Sequence, residues 1–145
     1  MDVAGFDHLN LTVRDLAESV AWYGRIFRFA LVEQGVREGV RWGILRSGSG
    51  RGSAMLCLYE RPEYRAADPE AVANRGLHRI RHFGLRIGDE GEWRALAERE
   101  RLATEEMRWT RSTSWYVNDP TGYEIEVAHW HGGQIEFASD QGEAR

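Results

Sequence analysis

Two histidines and one glutamate stand where a divalent metal would find ligands. His8 opens the run His8-Leu9-Asn10-Leu11-Thr12-Val13-Arg14-Asp15, and 74 residues on (8 to 82) His82 opens a matching run, His82-Phe83-Gly84-Leu85-Arg86-Ile87-Gly88-Asp89. Glu126 lies in a third run of the same character, Gly122-Tyr123-Glu124-Ile125-Glu126-Val127. Two imidazoles and one carboxylate hold a divalent ion on one face and leave its other positions open. Open positions mark a catalytic site, because structural sites are closed by protein ligands. Such a set favours Fe(II) or Mn(II), with Zn(II) or Ni(II) also compatible. His78, His129 and His131 have no partner in the repeat and are not expected as ligands.

The elements that must position these residues follow from periodicity. From Phe6 to Val13 apolar residues alternate with polar ones, which predicts a strand. Asp15 caps a helix, with Glu18 as its capping-box partner, and Leu16, Val20, Tyr23 and Phe27 form one helical face. Strands are expected over 30–38, 40–46 and 53–60, punctuated by Gly39 and the Ser47-Gly48-Ser49-Gly50 cluster. The second half repeats the order: a strand over 79–87, a helix over 92–101 with Trp93, Leu96 and Ala97 inward, and strands over 105–110, 113–117 and 123–129. Asp119-Pro120-Thr121-Gly122 reads as the last turn. Between the halves a short helix over 69–74 begins at Pro69, since proline suits the first helical position. The expected class is α+β: one domain of two βαβββ modules, at residues 5–60 and 79–130, with a linker at 61–78 and a tail at 131–145.

Aligning the last strands of the halves sets Met55-Leu56-Cys57-Leu58 over Glu124-Ile125-Glu126-Val127, so Cys57 is the repeat mate of Glu126. A thiol in an apolar setting keeps its proton, so Cys57 is expected to line the site without binding metal. Six tryptophans among 145 residues suit a flat aromatic ligand, and Trp42, Trp109 and Trp115 are expected on strands beside it.

Composition narrows the field. With 42% hydrophobic and 29% charged residues the chain reads as a globular domain. A net charge of −4 gives no footprint for nucleic acid or anionic membrane, and no apolar run reaches the length of a bilayer span. The single cysteine excludes an internal disulfide and suits a reducing compartment. The first residues lack a basic-then-apolar pattern, so a cytoplasmic protein without a signal peptide is expected.

The paired βαβββ patterns, the strand-initial histidines and the Asp-Pro-Thr-Gly turn before Glu126 resemble the vicinal oxygen chelate superfamily. That group includes glyoxalase I, extradiol dioxygenases, fosfomycin-resistance thiol transferases, methylmalonyl-CoA epimerases and bleomycin-binding proteins. The resemblance implies a curved mixed sheet forming a cleft, a metal held by His8, His82 and Glu126, a small-molecule substrate chelated through adjacent oxygens, and a homodimer. Among its members, extradiol dioxygenases use this triad without a fourth protein ligand, whereas glyoxalase I places a second carboxylate where Cys57 stands. The stretch from Trp115 to Glu126 follows most of the dioxygenase signature and assigns Tyr116 to a substrate hydroxyl. Met107, Arg108 and Trp109 occupy the place of that group's further histidine. Ser114 and Tyr116 also fall where fosfomycin enzymes contact a phosphonate, but no cation replaces those enzymes' lysine near Glu105 and Glu106. The leading expectation is extradiol-type oxygenation of a small aromatic or enol substrate. The alternatives are a redox-neutral thiol transfer, lyase reaction or isomerisation, and a metal-free ligand-binding protein.

Overall fold

A computed structural model describes residues 6–48, 53–76 and 80–137; His78, Arg79, part of the Ser47–Gly50 turn and the end of the tail lie outside them. The chain divides into two compact units, residues 1–71 with 119–122, and residues 72–118 with 123–145. The first carries β1 (Leu9–Val13), α1 (Leu16–Phe27), β2 (Phe29–Arg37), β3 (Val40–Ser47) and β4 (Met55–Glu60). The helix α2 (Pro69–Asn74) follows, and then β5 (Phe83–Ile87), α3 (Glu90–Arg99), β6 (Glu105–Arg108), β7 (Ser112–Asn118) and β8 (Glu124–Trp130). No described helix is long and apolar enough to cross a membrane.

The two sheets have the same topology, β1-β4-β3-β2 and β5-β8-β7-β6. In each, the first strand runs parallel to the last and the remaining pairs are antiparallel. Two βαβββ modules with mixed four-stranded sheets are therefore present, as the repeat predicts. Each begins its helix in the same way: Asp15 and Asp89 are extended N-caps whose carboxylates accept the N–H of Glu18 (2.9 Å) and Glu92 (2.8 Å). The first strand of each module starts at Leu9 and Phe83, so each histidine stands immediately before its strand rather than inside it.

Side-chain alternation gives each sheet one face against its own helix and one away from it. In the first unit Leu11, Val13, Leu45, Leu56 and Leu58 are buried, and α1 packs against β2, β3 and β4. The helix turns Leu16, Ser19, Trp22, Tyr23 and Ile26 inward. This stripe is rotated from the Leu16, Val20, Tyr23, Phe27 face that spacing alone suggests, because Trp22 and Ile26 offer more apolar area than Val20. In the second unit Trp93 of α3 meets Trp115 of β7 at 6.4 Å between ring centres, above buried Ile125 and Val127.

The Asp119-Pro120-Thr121-Gly122 turn is braced from the first unit's helix. Tyr23 donates its hydroxyl proton to Asp119 Oδ2 at 2.9 Å. Asp119 Oδ1 accepts the N–H of Thr121 (2.9 Å) and Gly122 (2.8 Å). Gly122 takes φ +105°, a left-handed setting that glycine permits, and a Cβ there would meet the Ala66 methyl at 3.0 Å.

Candidate metal centre

The parallel pairings set the register of the site. Cys57 of β4 pairs with Asn10, two residues after His8, and Glu126 of β8 pairs with Gly84, two residues after His82. Cys57 and Glu126 are thus equivalent positions of the repeat. Antiparallel neighbours complete the correspondence, Ile44 beside Cys57 and Tyr116 beside Glu126.

In the second unit His82 Nε2 lies 3.0 Å from Glu126 Oε2. Two ligand atoms bound about 2.1 Å from one ion at right angles are themselves about 3 Å apart, so this spacing suits a shared divalent metal. Ser114, 1% exposed, donates its hydroxyl proton to Glu126 Oε1 at 2.6 Å and sets the carboxylate plane. His82 Nδ1 is buried without a hydrogen-bond partner, although Glu124 Oε1 is 3.4 Å away. That distance is within ion-pair range but not aligned as a hydrogen bond. Tyr116 meets His82 edge to face at 5.4 Å. Burial first, and then the carboxylates of Glu126 and Glu124, push its phenol above the ordinary value. Tyr116 therefore keeps its proton at neutral pH in the metal-free chain.

In the first unit His8 Nδ1 lies 2.7 Å from Asp7 Oδ2. A carboxylate on Nδ1 favours the tautomer whose Nε2 lone pair faces outward, the form that binds metal. Cys57 has its thiol raised above the ordinary range by burial and by the Asp7 charge, so it stays a thiol. Among the described residues no three His, Cys, Asp or Glu side chains are grouped closely enough to hold an ion. Within the second unit, the donor types and spacing of His82 and Glu126 fit a divalent metal.

The remaining expected site residues separate. Trp42 and Cys57 line one cavity of the first unit, with Ile44 and Tyr59, on the face that carries Asn10 and Thr12. Trp115 corrects the expectation that it borders the site. It alternates with Ser114 and Tyr116, is 2% exposed beneath α3, and donates its indole N–H to Glu106 at 3.0 Å. Arg94 lies 5.1 Å over its ring, and the Arg94 and Arg108 guanidiniums hold Glu106 down to about 2. Trp109 lies in the β6–β7 turn, 53% exposed, rather than on a strand. His129 falls on the α3 face, 3.7 Å from Glu90, as alternation requires. Glu124 and Asp7, the carboxylates beside the two histidines, were not singled out by spacing. Glu124 shares a strand face with Glu126, and Asp7 adjoins His8; both clues are local.

Residues 5–127 match the family described as the Glyoxalase/Bleomycin resistance protein/Dioxygenase superfamily. No curated protein sequence matches the chain. Among solved structures, a glyoxylase/bleomycin resistance protein/dioxygenase domain from Frankia sp. EAN1pec superposes with TM-score 0.70 at 16% identity, covering 89% of this chain and 99% of that one. Lactoylglutathione lyase from Agrobacterium tumefaciens gives 0.62 at 22% identity, covering 93% and 100%. The genomically encoded fosfomycin resistance protein FosX from Listeria monocytogenes, complexed with Mn(II) and sulfate, gives 0.61 at 15% identity, covering 88% and 93%. Identities this low establish a shared fold.

Proposed function

The chain belongs to the glyoxalase/bleomycin resistance protein/dioxygenase superfamily, and from that premise we propose that it is a metal-dependent enzyme acting on a small substrate with adjacent oxygens. His82 and Glu126 supply two ligands and His8, the counterpart of His82 in the repeat, the third. The observation that carries this reading is the 3.0 Å approach of His82 Nε2 to Glu126 Oε2, with Ser114 holding the other carboxylate oxygen. Fe(II) or Mn(II) is favoured over Zn(II) or Ni(II) for two imidazoles and one carboxylate; the Mn(II) in the FosX complex supports a divalent ion of this class. Bound there, the ion supplies Lewis acidity and, if it is iron, electron exchange with oxygen.

The surrounding residues orient and hold protons. Asp7 positions the His8 ring, and Ser114 the Glu126 carboxylate. Tyr116, edge to face with His82, donates a hydrogen bond to a substrate oxygen. Cys57, at the place equivalent to Glu126, remains a neutral thiol, so no second carboxylate is available there to relay a substrate proton. This favours extradiol-type oxygenation of a small aromatic or enol substrate, in which both oxygen atoms enter the product and no external reductant is consumed. A redox-neutral reaction is the second reading, favoured by the likeness to a lactoylglutathione lyase and a fosfomycin resistance protein.

Metal analysis of anaerobically purified protein, followed by oxygen uptake with a catechol panel, tests the reading. Iron with substrate-dependent oxygen uptake is expected. Metal without uptake, but with turnover of a thiol adduct or epoxide, would move the assignment to the redox-neutral class. Absence of metal affinity would leave a ligand-binding protein.

A further inference from the structure

A cavity of about 330 Å³ opens on the first unit among β2, β3 and β4. Its walls include Trp42, Ile44, Cys57 and Tyr59, with Val36 and Arg37 beside them. Resting on the enzyme reading above, we propose that this cavity recognises the anionic end of a planar aromatic substrate, with Arg37 binding its carboxylate.

Three observations support the assignment. Trp42 is set firmly as a wall: it pairs with Gly35 across β2–β3, and a Cβ on Gly35 would come within 2.9 Å of the indole Cζ2. The glycine therefore lets the ring lie against the backbone of β2, and an aromatic wall fixed in this way stacks on a flat ligand. Arg37 is exposed and makes no hydrogen bond or ion pair with any described residue, whereas Arg41 is occupied by Glu60 at 3.1 Å. A guanidinium binds a carboxylate through two parallel hydrogen bonds, and its planar fork fits the two oxygens. Finally, Arg37 is the one charged side chain among the residues that line the cavity. The nearby carboxylates stand toward the opposite end, Glu33 beside Ile44 and about 13 Å along β2 from Arg37, and Asp7 close enough to act on the Cys57 thiol. The register Ile44–Cys57–Asn10 and Trp42–Tyr59–Thr12 puts the cavity on the sheet face that continues toward His8.

The full chain, freed of metal with EDTA, is titrated with 2-naphthoate and with its neutral isostere 2-naphthamide while amide shifts are followed by NMR. Naphthoate should bind about tenfold tighter than naphthamide, a margin ordinary for one charged hydrogen-bonded pair. Arg37→Gln should bring the two within twofold, leaving naphthamide affinity and Tm unchanged. Trp42→Phe should weaken both ligands. Equal affinities in the wild type, failure of naphthoate to bind, or an unchanged ratio in Arg37→Gln would overturn the proposal. Mn(II) is then added, and broadening of the bound naphthoate signals reads the metal separately. Arg37-dependent binding without broadening would reject the metal reading alone. Broadening without Arg37 dependence would reject the carboxylate subsite alone.

Discussion

Glu126 has a different neighbour on each oxygen, and the two contacts make separable predictions. Replacing a ligand removes a bond to the ion, whereas replacing its support loosens the ligand. Ser114→Ala should therefore weaken metal affinity by about 10- to 100-fold, the range for partners that orient a ligand, as read by competition with a chromophoric chelator. Unchanged affinity would make the 2.6 Å hydroxyl contact purely structural. Cys57→Ala should leave metal content unaltered, because a thiol whose pKa is raised by burial and by Asp7 offers no thiolate; a large loss of metal would contradict this. Tyr116 sets a pH prediction. Its phenol is raised above 10, so the proton it donates is present through neutral pH and is lost only as pH rises beyond that value. The same sign applies to stability, which this group supports below pH 10 and ceases to support above its folded pKa. Ultraviolet titration of the metal-free protein should show one alkaline phenolate transition fewer in Tyr116→Phe, and in the loaded enzyme the same change should lower kcat by about 100-fold or more.

At the scale of elements, the two modules show why some of this was legible and some was not. Strand alternation and the Asp15 cap are written locally, so β1, β5 and α1 could be read from the chain; α3 was expected over 92–101 and runs over Glu90–Arg99, because Asp89 caps it. The equivalence of Cys57 and Glu126 followed from aligning the halves, and the register reproduces it through Asn10 and Gly84. Trp115 was misjudged because a wide aromatic was assigned by type. Its place between Ser114 and Tyr116 already required the opposite face, where Trp93 covers it. The Ser114–Glu126 contact needed the β7–β8 register, and the inward stripe of α1 needed the packing of Trp22. The brace on the last turn was likewise invisible, since Tyr23 and Asp119 are far apart in sequence. Tyr23→Phe should cost about 1 kcal/mol or somewhat more, since it leaves one buried acceptor lone pair less satisfied. Leu58→Ala, at a fully buried position, should cost about 2–5 kcal/mol. Denaturant unfolding checks both. A cost for Leu58→Ala below that of Tyr23→Phe would contradict the assignment of the first unit's core.

For the whole molecule, assembly and metal binding are coupled in the proposed site. Each sheet ends in edge strands, β1 and β2 in one and β5 and β6 in the other, and such edges invite pairing between chains. We propose a homodimer in which His8 of one chain meets His82 and Glu126 of the other. Mixing His8→Ala with Glu126→Ala chains should then restore one intact triad per heterodimer, because one site collects both lesions. A verified heterodimer without recovered metal binding would place the site within one chain. The most direct measurement is metal stoichiometry on anaerobic reconstitution with Fe(II) or Mn(II), for the wild type and for His8→Ala, His82→Ala and Glu126→Ala, with melting temperatures alongside. The account predicts one ion per chain in the wild type and loss in each variant without loss of fold. A wild type that binds no divalent ion, or variants that bind as it does, would contradict it.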